Sequence, residues 1–116
     1  MNINNPLINE IYLFLDEKKA WNINALDMRK ISSVSDYFIL ANGSNKPHLK
    51  SLQEGLILFF KENGVSNILK TGTAESGWMI IDAEDIMIHL FEEELRDYYN
   101  LEDLWNDALI LPMKDK

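Results

Sequence analysis

The sequence predicts a small single-domain α/β fold, a mixed β-sheet with helices on both faces. Three observations carry this. Segments with apolar residues at helical spacing are interleaved with short apolar runs of strand length. Two of those runs, Trp78 to Ile81 and Ile86 to Phe91, are apolar at nearly every position, as strands covered on both faces are. The length is 116 residues, 47% hydrophobic and 26% charged, which suits one globular domain and excludes wholesale disorder.

The elements follow in order. Asn5-Pro6 reads as a helix cap followed by Pro at the first helical position. Leu7, Ile8, Ile11, Tyr12 and Leu15 then recur at helical spacing, which predicts a helix to about Lys19. Ile23 to Met28 is a short strand, and Arg29 to Ser35 a polar connection. Asp36 to Ala41 is a strand bounded by the turn signal Asn42-Gly43-Ser44-Asn45. A helix starts near Lys46 with Pro47 in its first turn. Leu49, Leu52, Leu56, Phe59 and Phe60 form its apolar stripe, and Asn63-Gly64 stops it. Asn67 to Thr71 is a strand, and Gly72 to Gly77 a loop. The runs at 78–81 and 86–91 pair as a hairpin across Asp82-Ala83-Glu84-Asp85. Glu92 to Tyr99 begins a helix whose early acids suit its positive end. Leu101, Leu104, Trp105 and Leu109 add a final amphipathic turn or two, and 112–116 are a polar tail.

The formal net charge is −8, and it is unevenly placed. Residues 82–107 hold ten acids and one cation, Arg96, so that tract carries −9 and the rest of the chain +1. Such a surface repels phosphates, which argues against nucleic acid and for a basic protein partner. A solvated acidic face that serves solubility is the plainer alternative. The chain has no Cys, which excludes disulfides, zinc-thiolate sites and a Cys nucleophile. Met1 to Asn5 lack a positive signal-peptide region, and no apolar run approaches membrane-spanning length, so a cytoplasmic location is expected.

Two blocks resemble the ribosomal silencing factor family, also called Iojap. The first is ALDMRKISSVSDYFILANGSNKPHLKSL, residues 25–52: a short strand, a Ser-Ser-x-x-Asp-Tyr-Phe segment, a small-residue turn and a helix carrying a His. The second is GWMIIDAEDIMIHLFEEELRDYYNLEDLW, residues 77–105. It has the family's Trp, apolar strand, Asp-x-x-Asp turn, apolar strand with a His, acidic pair, Arg, Tyr and final Leu-Trp. The family's turn usually carries Gly where this chain has Glu84, and residues 1–22 do not match closely. The resemblance implies one domain over 1–116, similar to the nucleotidyltransferase fold without catalytic carboxylates. It implies a translational repressor that binds a ribosomal protein on the intersubunit face of the large subunit, the fourteenth in large-subunit numbering. Small-subunit joining is then blocked when nutrients are short. No cofactor, metal or membrane is implied, and a homodimer off the ribosome stays open.

The contact region so implied comprises Trp78, Asp82, Asp85, His89, Glu92, Glu93, Tyr98, Leu104 and Trp105. Each has a plainer alternative. Trp78 is either an interface anchor or a rim Trp of the core. Asp82 and Asp85 can form a turn. His89 can be an imidazole bonded within the core. Tyr98, Leu104 and Trp105 can cover the sheet. Gly43-Ser44, between a strand and a helix, is similar to a phosphate-binding turn. The strand that follows that helix has no carboxylate to hold metal ions, so a nucleotide-using enzyme is the weaker alternative. An adaptor for large-subunit assembly is the other.

Overall fold

Ile8, Ile11 and Leu15 fall on one side of α1 (Leu7–Glu17) and are its buried residues. The longer α2 (Lys46–Glu62) buries Leu49, Leu52, Leu56 and Phe60 in the same way. Asn45 caps α2, its side-chain oxygen accepting the His48 N–H at 2.8 Å. The helix ends at Asn63, and Gly64 turns the chain at φ 82°. The computed structural model describes residues 7–30, 35–99 and 109–111, the last three and 97–99 by backbone alone. The expected cap at Asn5 lies outside them.

The strands are β1 (Trp21–Asp27), β2 (Tyr37–Gly43), β3 (Ile68–Thr73), β4 (Trp78–Ala83), β5 (Ile86–Glu92) and β6 (Leu109–Leu111). They form one sheet in the order β3-β4-β5-β2-β1-β6. Only β2 and β5 pair in parallel, so the sheet is mixed, as expected. A 3-10 turn (Ala74–Ser76) leads from β3 into β4, and α3 (Glu93–Tyr99) follows β5 directly.

Helices lie on both faces. The first face holds Ala25, Tyr37, Ile39, Ala41, Met79, Ile81, Ile88 and Leu90, packed with α1 and α2 in the main apolar core. The second carries Leu26, Phe38, Leu40 and Phe91, with Trp78 and Met87 against them. α3 folds back on this side, where Arg96 of α3 reaches Asn42 of β2.

Three expectations are corrected. Asn42 and Gly43 are strand residues, paired with Phe91 and Glu92, so the turn is confined to Ser44-Asn45. β4 alternates half-buried and buried along its length, so one of its faces is partly open. Leu109 belongs to β6 and pairs with Asp27, so it is not part of a helical turn.

His48 ties two connections together. Its Nδ1 accepts the Ser44 N–H at 2.9 Å, and its Nε2–H donates to the Lys18 carbonyl at 2.8 Å. The β4–β5 hairpin has Ala83 opposite Ile86, leaving a two-residue turn of Glu84 and Asp85. Glu84 takes φ 60°, a conformation that costs a residue with a Cβ. Glycine at this position removes that strain. Glu84→Gly is therefore expected to stabilise the fold by about 0.5–1 kcal/mol, read as a higher urea midpoint at unchanged m-value. A lower midpoint would contradict the strained-turn account.

Candidate functional site

The second face is closed at its centre and open towards β3. Cross-strand register places Leu69 of β3 beside Asp82 of β4 and Met87 of β5. The next row is Thr71, Ile80 and His89, and the third is Thr73, Trp78 and Phe91. Phe91 and His89 are buried, whereas Trp78, Ile80 and Met87 are half-buried and Leu69 is 68% exposed. α3 adds Leu95 at the side. A hollow of about 350 Å³ opens between Thr71, Gly72, Ser76, Trp78, Ile80 and Leu95. The result is an apolar strip on one sheet face with a cavity at its end.

Local chemistry builds the hollow. Gly72 sits at φ 83°, and a Cβ there would lie 2.3 Å from the Trp78 carbonyl oxygen, so the close passage of β3 requires glycine. Thr73 caps the 3-10 turn, and Gly77, at φ 80°, redirects the chain into Trp78. The Ser76 hydroxyl accepts the Trp78 N–H at 3.3 Å. The Glu92 N–H donates to the Gly77 carbonyl at 2.9 Å, holding the loop to the end of β5.

Trp78 is fixed from beneath. Its indole N–H donates to Nδ1 of His89 at 3.3 Å. Indole is a donor only, so Nδ1 accepts and the neutral ring carries its proton on Nε2. The Trp78 ring lies 5.1 Å from Phe91, and the His89 ring 4.8 Å from Phe38. His89 is 3% exposed, and burial pushes its pKa down to about 4. It therefore stays uncharged at neutral pH and offers almost no surface to a partner.

Arg96 anchors α3. It is 2% exposed, and its guanidinium donates to the Asn42 side-chain oxygen at 2.9 Å and to the Asn22 carbonyl at 2.6 Å. Asn22 is at φ 53°, where the β1–β2 register shifts between Trp21 and Asn24. That irregularity frees a strand carbonyl to serve as an acceptor. In the sequence Arg96 looks like the sole cation of a solvated acidic tract. Its position just after Leu95, an apolar residue among acids, is the one hint of an inward-facing turn.

Among the described residues the acids of that tract fall into two groups. Asp82 and Asp85 stand at the turn end of the hairpin, whereas Glu92, Glu93 and Glu94 follow the opposite end of β5. At about 3.3 Å per residue the two groups are roughly 20 Å apart. Asp82 is half-exposed on the apolar strip. Asp85 is exposed in the turn, and its carbonyl accepts the Asp36 and Tyr37 N–H groups at 2.9 and 3.0 Å. Glu93 and Glu94 are exposed, and Glu92 is half-buried beside Gly77. Of Tyr98 only its place in α3 is described, and Leu104 and Trp105 lie outside the described residues. The sequence reading missed Leu69, Ile80 and Met87, because nothing in a strand pattern marks which positions stay uncovered, and it missed Leu95 on α3 among its acids.

A second cleft, about 510 Å³, lies where β2 and β5 end, between Trp21, the 43–47 turn and Glu92–Glu94. The Ser44 N–H that a phosphate would use is already taken by His48. Among the described residues no three His, Cys, Asp or Glu side chains are grouped to hold a metal ion, and no helix is long and apolar enough to cross a membrane.

Residues 2–116 match the family model described as "Ribosomal silencing factor during starvation". A Bacillus subtilis protein named "Ribosomal silencing factor RsfS" is 38% identical over 93 residues, 80% of this chain and 79% of that protein. A crystal structure of a Chromobacterium violaceum protein is 30% identical with a TM-score of 0.81, covering 91% of this chain and 88% of its own. A mouse protein named "Mitochondrial assembly of ribosomal large subunit protein 1" is 25% identical over 84% of this chain and 44% of that protein.

The neutral burial of His89 makes a pH prediction. Its folded-state pKa of about 4 lies below the ordinary 6.5. Below pH 6.5 the unfolded chain therefore binds a proton that the folded chain refuses, and stability falls as pH drops towards 4. The loss from this group reaches about 3 kcal/mol. Urea unfolding at pH 7 and pH 4.5 should show a smaller difference in His89→Leu than in the wild type; equal differences would mean that His89 titrates normally.

Proposed function

The chain belongs to the ribosomal silencing factor family, and we propose that it is a non-enzymatic translational repressor acting in the cytoplasm. It binds the large ribosomal subunit through a basic protein on the intersubunit face, the fourteenth in large-subunit numbering. Once bound, its bulk prevents the small subunit from joining, which silences ribosomes under nutrient limitation. Occlusion needs no cofactor: affinity for one subunit and a clash with the other suffice.

The observation that supports this most is the half-open strip on the second face. Trp is enriched among interface hot spots, and here it is half-buried with its indole N–H held by the buried His89. Leu69, Ile80, Met87 and Leu95 extend it, and acids stand at both ends, Asp82 and Asp85 at one and Glu93 and Glu94 at the other. Charge at the rim speeds association with a basic protein, and the apolar centre holds the complex. A nucleotide-using enzyme gains no support from this geometry, since the Ser44 N–H of the candidate phosphate turn is bonded to His48.

The mouse relative's name concerns assembly of the large subunit, so an assembly role is the reading to separate experimentally. A repressor leaves large-subunit maturation normal in a deletion strain grown on rich medium, and immature particles there would favour the adaptor. In wild-type lysate the protein is expected to co-sediment with free large subunits and not with joined ribosomes. Trp78→Ala should weaken binding to large subunits by about 2 kcal/mol or more while keeping the fold. Equal recovery in both ribosome fractions would sink occlusion, and an unchanged dissociation constant would remove Trp78 from the contact.

A further inference from the structure

We infer that His89 is a positioning residue for partner binding: it meets no partner itself, and its Nδ1 fixes the rotation of the Trp78 indole that does. The inference rests on the docking reading above and adds a division of labour within the face.

The surroundings of His89 are those of an apolar site. His89 lies in β5 between Ile88 and Leu90, both fully buried on the other face, and packs among Phe38, Phe91 and Trp78. An aliphatic side chain fills such a site without the cost of desolvating a polar ring. What the imidazole supplies is an acceptor, 3.3 Å from the indole nitrogen.

Trp78 needs that acceptor because its outer side is open. The indole is packed on Phe91 at 5.1 Å and near the His89 ring at 6.1 Å, and it lines the hollow. A hydrogen bond from Nε1–H is directional, so it selects one rotamer and one ring tilt. Presenting the ring already ordered removes part of the entropy lost on docking, an effect on the order of tenfold in affinity. The indole N–H is also satisfied from within, so the partner meets hydrocarbon rather than an unpaired donor.

The test uses two substitutions whose effects on stability and on binding run in opposite directions. His89→Leu fills the site with hydrocarbon and removes the acceptor. His89→Asn keeps an oxygen near the place of Nδ1 but leaves a cavity. At pH 7 His89→Leu is expected to be the more stable of the two in urea, yet to bind purified large ribosomal subunits about tenfold more weakly than the wild type. His89→Asn is expected to be the less stable, yet to bind within about threefold of the wild type. In the free protein the Trp78 indole N–H resonance, assigned by its loss in Trp78→Phe, should move in His89→Leu and stay near its place in His89→Asn. Wild-type binding by His89→Leu, or equal weakening by both variants, would overturn the positioning role. Trp78→Ala, measured in parallel, separates the two readings. If it binds as tightly as the wild type, the docking reading falls and this inference with it. If it binds weakly while His89→Leu binds normally, only the inference falls.

Discussion

The guanidinium of Arg96 ties the short helix α3 to both β1 and β2. It lies on α3, and it donates to a β2 side chain and to a β1 carbonyl. Burying a guanidinium costs several kcal/mol unless its donors are met, and here two strong acceptors stand ready. The irregular backbone at Asn22 supplies one, and Asn42 near the end of β2 supplies the other. With α3 held there, Leu95 is set against the hollow beside Trp78. The side of the candidate surface that α3 supplies follows from this one buried cation.

The two faces of the sheet are built on different principles. The first is dominated by hydrocarbon, with Ile39, Ile81, Ile88 and Leu90 fully buried under α1 and α2. Full burial of such side chains contributes about 1.5–3 kcal/mol each and accounts for the folding drive. The second face contains two polar insertions, Arg96 with Asn42 and Trp78 with His89. Both cost stability relative to apolar packing, and both impose direction. A surface meant to be recognised gains from groups that fix orientation, whereas a core needs only volume.

Much of this was legible in the sequence. The two long helices appear as Ile8, Ile11, Leu15 and as Leu49, Leu52, Leu56, Phe60. The hairpin is visible in its two apolar runs, and the doubtful turn residue, Glu84, is the one held at φ 60°. The errors have physical causes. Asn42-Gly43 has strong turn propensity, but parallel pairing to Phe91 and Glu92 extends the strand through it. β4 reads as apolar throughout, yet Trp78 and Ile80 stay half-open because β3 beside them is an exposed edge. The acidic tract looks continuous along the chain, but a strand of β5's length carries Asp82 and Asp85 to one end of the hairpin and Glu92–Glu94 to the other. Arg96 could not be told from a surface cation, since its burial depends on a backbone irregularity more than seventy residues earlier.

The most direct measurement of this account is amide hydrogen exchange on Arg96→Met, combined with binding to large ribosomal subunits. Methionine keeps most of the length and removes the donors. The account predicts that protection falls in α3 while β4 and β5 keep theirs, and that binding weakens at least as much as in Trp78→Ala. Unchanged protection of α3, with wild-type binding, would show that the helix is held by other contacts and that the buried arginine does not organise the face.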